Sequence, residues 1–208
     1  MNIALIELKE NDLIFAKETP DVILPTKDDE NAGYDIYAHF DEDYMVIPPH
    51  TTKLVPTGIA SAMSPKYEIR LCDRGSNGSK GIHVNAGTID SGFRGFWFVA
   101  WCNTNDKPVI LSKLSLNEII KKYGNADEED TWFIPINPSE PTMLYGKPQI
   151  NNMLLMSYNK PIIYPYEKAI CQAELREVPV MNVKEVSLDE LLSIPSNRGI
   201  GALGSSGK

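Results

Sequence analysis

Four short segments of this chain set a carboxylate or a cation among glycine and serine. Asp35 lies in "NAGYDIYA" (Asn31 to Ala38), and Arg74 and Lys80 lie in "DRGSNGSKG" (Asp73 to Gly81). Asp90 lies in "GTIDSGFRG" (Gly87 to Gly95), and Arg198 opens the terminal "RGIGALGSSGK". Glycine-rich turns expose backbone N–H groups that can face an anion, and a glycine-flanked turn holds an aspartate at a pocket edge. The spacing is not that of a Walker loop. Carboxylates tolerate a polyanion when a metal ion intervenes, so the ligand these segments jointly fit is a triphosphate carrying Mg²⁺. His39, His50 and His83 show no ligand spacing with each other or with Cys72, Cys102 and Cys171, which argues against a structural zinc site.

The composition narrows the partners. The chain has 208 residues, 42% hydrophobic and 23% charged, with a formal net charge of -8. That balance suits a globular protein of one domain with a large insertion, or two small domains. It argues against a nucleic-acid backbone or an anionic membrane as the main partner. No stretch reaches membrane-spanning length and the N-terminus lacks a leader pattern. Three widely spaced cysteines fit a reduced, cytoplasmic protein.

The elements that must position these residues read as all-β. "KLVPTGIASAM" (Lys53 to Met63) and "YEIRLC" (Tyr67 to Cys72) are expected strands, the second with Tyr67, Ile69 and Leu71 on one face. "FWFVAW" (Phe96 to Trp101) predicts a strand buried on both faces. Frequent Gly, Pro and Asn turns favour a sandwich or barrel. From 104 to 165 the character changes. "SLNEIIKKYG" predicts a helix with a Ser115/Glu118 capping box, an apolar stripe of Leu116, Ile119 and Ile120, and a stop at Gly124. The Pro- and Asn-rich stretch after it carries Trp132, Phe133, Met153 and Met156, as an insertion with its own small apolar contacts would. "EKAICQAELREVPVMNV" resumes strand patterning, and "SLDELLS" (Ser187 to Ser193) predicts a short helix.

In order and wording the segments resemble the trimeric dUTPase family of phage and Gram-positive type. "NAGYDIYA" is similar to the first family motif, "DRGSNGSKG" to the second, "NAGTIDSGFRG" to the third, "AICQ" to the fourth and "RGIGALGSSG" to the fifth. The resemblance spans everything outside 104–165. It implies a jelly-roll-like barrel over 1–103 and 166–196, an insertion at 104–165, and a flexible closing arm at 197–208. It also implies hydrolysis of dUTP to dUMP and pyrophosphate by a homotrimer with shared sites. On this resemblance Asp90 orients the attacking water, and Phe93 stands where a tyrosine ring lies under the deoxyribose. The hairpin holding Asn85 and Gly87 reads the uracil edge. Arg74, Gly75, Ser76 and Gln172 contact phosphates, and Asp35 stands near the metal through water. Arg198, Leu203, Gly204, Ser205 and Ser206 belong to the arm that closes over the γ-phosphate.

Several positions depart from the family pattern. Gly75 stands where serine is usual, Ala169 where arginine is common, and Leu203 where a phenylalanine stacks on the base. These departures sustain an alternative, a catalytically weak dUTPase-like nucleotide- or protein-binding regulator that uses the insertion to hold a partner. The related dCTP deaminase class needs a glutamate after the third motif, and "FWFVAWCN" offers none.

Overall fold

The computed structural model describes residues 6–128, 131–139, 143–144, 147–148, 153–155 and 161–197. The strands are β1 (Leu13–Lys17), β2 (Gly33–Ile36), β3 (Tyr44–Ile47), β4 (Thr51–Pro56), β5 (Ile59–Met63), β6 (Tyr67–Cys72), β7 (Ile82–Val84), β8 (Thr88–Ile89) and β9 (Phe98–Asn103). They continue as β10 (Val109–Ser112), β11 (Asn125–Glu128), β12 (Thr131–Pro135), β13 (Met143–Leu144), β14 (Lys147–Pro148), β15 (Met153–Leu155), β16 (Ile162–Pro165) and β17 (Cys171–Glu177). The helices are α1 (Gly75–Gly78), α2 (Leu116–Tyr123) and α3 (Leu188–Leu192). Residues 1–178 and 179–208 form separate compact units, and α3 lies in the second, started by a Ser187/Glu190 capping box.

The first unit is all-β. Its sheets run β2-β17-β6-β8, β4-β9-β7, β16-β10-β3 and β1-β5 around one core that includes Ile36, Val55, Ile69, Trp97, Trp101 and Ile170. Alternation puts these residues inside. On β6, Ile69 and Leu71 are buried while Glu68, Arg70 and Cys72 are not, as a two-residue side-chain period requires. The same period corrects the reading of "FWFVAW". Trp97, Val99 and Trp101 are fully buried, but Phe96 and Phe98 stay 40% and 53% exposed, so this strand is buried on one face. "KLVPTGIASAM" is two strands, β4 and β5, because Gly58 takes a positive φ of 64° between them.

Two strands within 104–165 belong to the barrel wall. β10 pairs antiparallel with β3 and parallel with β16. Helix α2 and Ile134, from the described part between them, are tied down on the outer face of that sheet. Helix α2 has the expected capping box and ends at Gly124. Its Ile119 joins Ile134 of β12 in a fully buried cluster with Tyr44, Val46 and Ile110. Each such aliphatic side chain contributes about 1.5–3 kcal/mol of transfer free energy. The Tyr44 hydroxyl donates to the Pro135 carbonyl at 2.7 Å, and Asp43 Oδ2 accepts from Lys122 Nζ at 2.6 Å and from the Tyr123 hydroxyl at 2.9 Å. The side chains of Trp132, Phe133 and Met153, and all of Met156, lie outside the described residues.

Candidate functional site

The sheet β2-β17-β6-β8 brings three of the expected residues together. Asp35 on β2 stands directly opposite Gln172 on β17, which stands opposite Cys72 at the end of β6. Gln172 Nε2 donates to Asp35 Oδ1 at 3.2 Å. Arg74, two residues beyond Cys72, turns back to donate from Nη2 to Asp35 Oδ2 at 3.2 Å and from Nη1 to the Ala169 carbonyl at 3.0 Å. Both members of the ion pair are about one quarter exposed, 24% for Arg74 and 27% for Asp35. The guanidinium is thus held in one orientation with donors to spare for an incoming anion, the geometry in which arginine recognises phosphate.

The glycine-rich segment "DRGSNGSKG" is a single helical turn, α1, where the sequence suggests an irregular anion loop. Asn77 explains the turn. It is 2% exposed, and its side-chain amide donates to the Ile170 carbonyl at 2.8 Å. The indole N–H of Trp101 reaches the same carbonyl at 3.0 Å. The Tyr164 hydroxyl donates to the Ala169 carbonyl at 2.5 Å, lies 3.0 Å from Asn77 Oδ1, and its ring meets Trp101 edge-on at 5.0 Å. Buried polar groups keep such partners because losing one is costly. The network clamps α1 onto residues 169–170, which fixes the base of Arg74. Gly75 and Ser76 are exposed at its start, with nothing within 4 Å of where a Cβ on Gly75 would stand. Asn77 lies inside the glycine-rich segment, but neither it nor Tyr164 is of a type that local spacing marks as a structural clamp.

The segment expected as a hairpin around Asn85 is a crossing between sheets. β7 pairs with β9, and β8 pairs with β6. The Asn85 N–H donates to the Ala100 carbonyl at 2.8 Å, and its side chain donates to Thr52 Oγ1 at 3.0 Å. Ala86 follows with φ at 70°, a left-handed conformation that costs a non-glycine residue about 1–2 kcal/mol. Gly87 is required by closeness: a Cβ there would stand 2.7 Å from the Leu71 Cβ, while its carbonyl accepts from the Leu71 N–H at 2.7 Å.

Asp90 follows β8 on an exposed turn closed by the Phe93 N–H to the Asp90 carbonyl at 3.0 Å. Phe93 is 43% exposed and its ring lies against Gly95, where a Cβ would meet it at 2.6 Å. Arg94 braces the turn from Nη1 to the Ser91 carbonyl at 2.6 Å. Asp90 is not brought to Asp35. The ladder puts three strand spacings and roughly four residues of rise between them, about 20 Å in all.

Between these two regions lies a contact the sequence reading missed. Asp73 accepts from the Val84 N–H at 2.6 Å through Oδ1 and pairs with His83 Nδ1 at 2.8 Å through Oδ2. Arg198, Leu203, Gly204, Ser205 and Ser206 lie outside the described residues. Among the described residues there is no group of three or more His, Cys, Asp or Glu able to hold a metal ion. Asp35 fits the expected indirect contact: each of its oxygens takes a donor, and one carboxylate suits a water-mediated rather than a chelating role. Among the described residues no helix is long and apolar enough to cross a membrane.

The dUTPase family model matches residues 20–115. The deoxyuridine 5'-triphosphate nucleotidohydrolase of Orientia tsutsugamushi (strain Boryong) is 40% identical over 80 residues, 37% of this chain and 53% of the relative. The chain thus spans about half the length of the curated relatives it matches. Among solved structures, the dUTPase of Staphylococcus bacteriophage 80alpha with dUPNHPP is similar at a TM-score of 0.62 and 18% identity, covering 95% of this chain and 99% of that one. That phage dUTPase is described as controlling transfer of virulence genes by a proto-oncogenic G protein-like mechanism. A mutant dUTPase from phage phi11 of S. aureus, described with the coordination of a structural Mg(II) ion, is similar at 0.55 and 17% identity, covering 86% and 99%. The resemblance read from the motif order is borne out, and so is the all-β barrel with a small helical insertion.

Proposed function

We propose that this chain hydrolyses dUTP to dUMP and pyrophosphate, as a homotrimer whose sites are shared between subunits. The observation that carries the reading is the convergence of Asp35, Arg74 and Gln172, drawn from three separate motif segments, into one bonded cluster. The separation of about 20 Å between Asp35 and Asp90 supports sharing, because a nucleotide touching both needs them from different copies of the chain.

Each residue then has a chemical task. Asp90 orients the water that attacks the α-phosphorus, and its exposure on a braced turn suits a carboxylate completed by a neighbouring subunit. Phe93 lies under the deoxyribose and leaves no room for a 2′-hydroxyl. Asn85 and Gly87 present backbone groups to the uracil edge, which rejects cytosine because a mismatched exocyclic group strands buried polar atoms. Arg74, Ser76 and Gln172 hold the phosphates. When bound, Mg²⁺ supplies neutralisation of the phosphate charge, with Asp35 reaching it through water. The arm from 197 to 208, with Arg198, Leu203, Gly204, Ser205 and Ser206, closes over the γ-phosphate. Catalysis on this reading is positioning and electrostatic stabilisation without a covalent intermediate.

A second reading concerns the segment between β10 and β16, which the barrel does not need for closure. Its described part packs Ile119 and Ile134 on Tyr44, Val46 and Ile110, and it offers the remaining surface for a protein partner. Pyrophosphate release with Mg²⁺ across dUTP, dCTP, dTTP and UTP tests the first reading, for the full chain and for a version ending at Asn197. Hydrolysis of dUTP alone, lost on truncation, is expected. Binding of dUTP without turnover would move the function to the second reading.

A further inference from the structure

The Phe93 ring lies over Gly95. A Cβ built on Gly95 would stand 2.6, 3.0 and 3.4 Å from the ring atoms Cζ, Cε2 and Cε1, so the ring comes this close only because position 95 carries no side chain. The backbone of Phe93 is held on both sides. Its N–H donates to the Asp90 carbonyl at 3.0 Å, and its carbonyl accepts from Arg94 Nη1 at 3.0 Å. Arg94 Nη1 also reaches the Ser91 carbonyl at 2.6 Å and the Ser61 carbonyl of β5 at 3.4 Å, which ties the turn to the barrel wall. Gly87 supplies the contrast. A Cβ there would meet the Leu71 Cβ at 2.7 Å and the Leu71 carbonyl oxygen at 3.1 Å, in the body of β6. At Gly95 the obstacle is the free end of a side chain that is 43% exposed, and Gly95 is itself exposed. Its φ lies outside the left-handed region, so alanine suits its backbone.

We propose that Gly95 is a positioning residue whose bare Cα is the seat that sets the height of the Phe93 ring. With the backbone of Phe93 held, what lies beneath the ring decides where its upper face stands. The consequence for substrate rests on the dUTPase reading, in which that upper face meets the deoxyribose. Asp90 and Phe93 share one turn of one chain, so they face the same nucleotide. A Cβ at position 95 lifts the ring by about 0.8 Å, from 2.6 Å to the 3.4 Å at which ordinary contact begins. The sugar rises with it, and the α-phosphorus leaves its alignment with the water held by Asp90.

Gly95→Ala in the full chain tests the seat without any nucleotide. The Phe93 ring signals, identified in the aromatic NMR spectrum by their loss in Phe93→Ala, are expected to shift while the urea unfolding midpoint stays unchanged. Unmoved Phe93 signals overturn the proposal, and so does a lowered midpoint, which would put the strain on the backbone. Turnover tests the consequence. Gly95→Ala is expected to lower kcat/KM for dUTP about ten-fold, the scale of a displacement approaching 1 Å. In a Phe93→Ala background the same change is expected to cost less than about two-fold, because no ring remains to be lifted. An equal loss in both backgrounds, or a wild-type kcat/KM beside shifted ring signals, overturns it. If the wild type neither binds nor hydrolyses dUTP, the dUTPase reading fails, and the ring signals alone decide the seat.

Discussion

Asp35 and Gln172 face one another across β2 and β17, and Gln172 donates to Asp35 Oδ1 while Arg74 donates to Oδ2. A single aspartate therefore sets the direction of the Gln172 amide and the Arg74 guanidinium, the two donors assigned to the phosphates in the proposed function. Its own backbone is fixed too, exchanging bonds with Thr26 at 2.6 and 3.2 Å. The cluster is preorganised by sheet register, which a flexible loop would not achieve.

Arg74→Gln is expected to lower kcat/KM for dUTP by about 10- to 100-fold, since a hydrogen bond to a charged group contributes about 1.5–3 kcal/mol. Arg74→Lys is expected to recover only part, because the ammonium cannot serve Asp35, Ala169 and a phosphate with one planar fork. Steady-state kinetics of both variants check this, and a lysine variant equal to wild type refutes the planar-fork argument.

Asp90→Asn is expected to abolish turnover while leaving the affinity for dUTP within a few-fold, as measured by calorimetry under Mg²⁺. Turnover near wild type would remove Asp90 from the chemistry.

Gly87→Ala is expected to cost about 1–3 kcal/mol in urea unfolding, because the added Cβ would overlap the Leu71 side chain at 2.7 Å. The strain falls on β6, so dUTP binding weakens along with stability. An alanine variant as stable as wild type would mean that the crossing segment shifts freely.

Ile119→Ala is expected to lower stability by about 2–5 kcal/mol, the range for deleting a buried aliphatic side chain. Turnover per folded molecule stays unchanged, because this cluster supports the inserted segment and touches no site residue. A change in kcat at full folding would link the inserted segment to catalysis.

Asp43 gives a pH dependence. The hydrogen bond from Lys122, then that from Tyr123, holds its carboxyl below the usual value. The folded pKa is depressed, so the stabilisation is present above the unfolded value near 3.9 and fades as pH falls through the folded one. Asp43→Asn is therefore expected to flatten the acid limb of the stability curve below about pH 4, read by thermal unfolding. An unchanged acid limb would show that the Lys122 contact is too solvated to matter.

Period and punctuation made much of this fold legible. The alternation of "YEIRLC", the Ser115/Glu118 box and the Gly124 stop are local features, and the structure keeps each where the residues put it. The misreadings have one physical source. "FWFVAW" looks buried on both faces because composition does not tell which side of a strand a neighbouring sheet covers, and here only the Trp97–Val99–Trp101 side is covered. "DRGSNGSKG" looks like a loop because the partner that makes it helical, the Ile170 carbonyl, is 93 residues from Asn77. The crossing at Asn85 looks like a hairpin because the true partners of β7 and β8 are distant in sequence.

The amino-acid sequence alone determined the order, residue types and spacing of the motif segments, and with them the family resemblance, since side-chain type and motif spacing are properties of the chain itself. Tertiary structure alone decided that Asp35, Arg74 and Gln172 form one cluster, that Asp90 follows a strand three places away across the same sheet, and that Asp73 bonds to β7 of a second sheet. Those are facts of strand register, set by long-range pairing and core packing that local residue preferences do not encode.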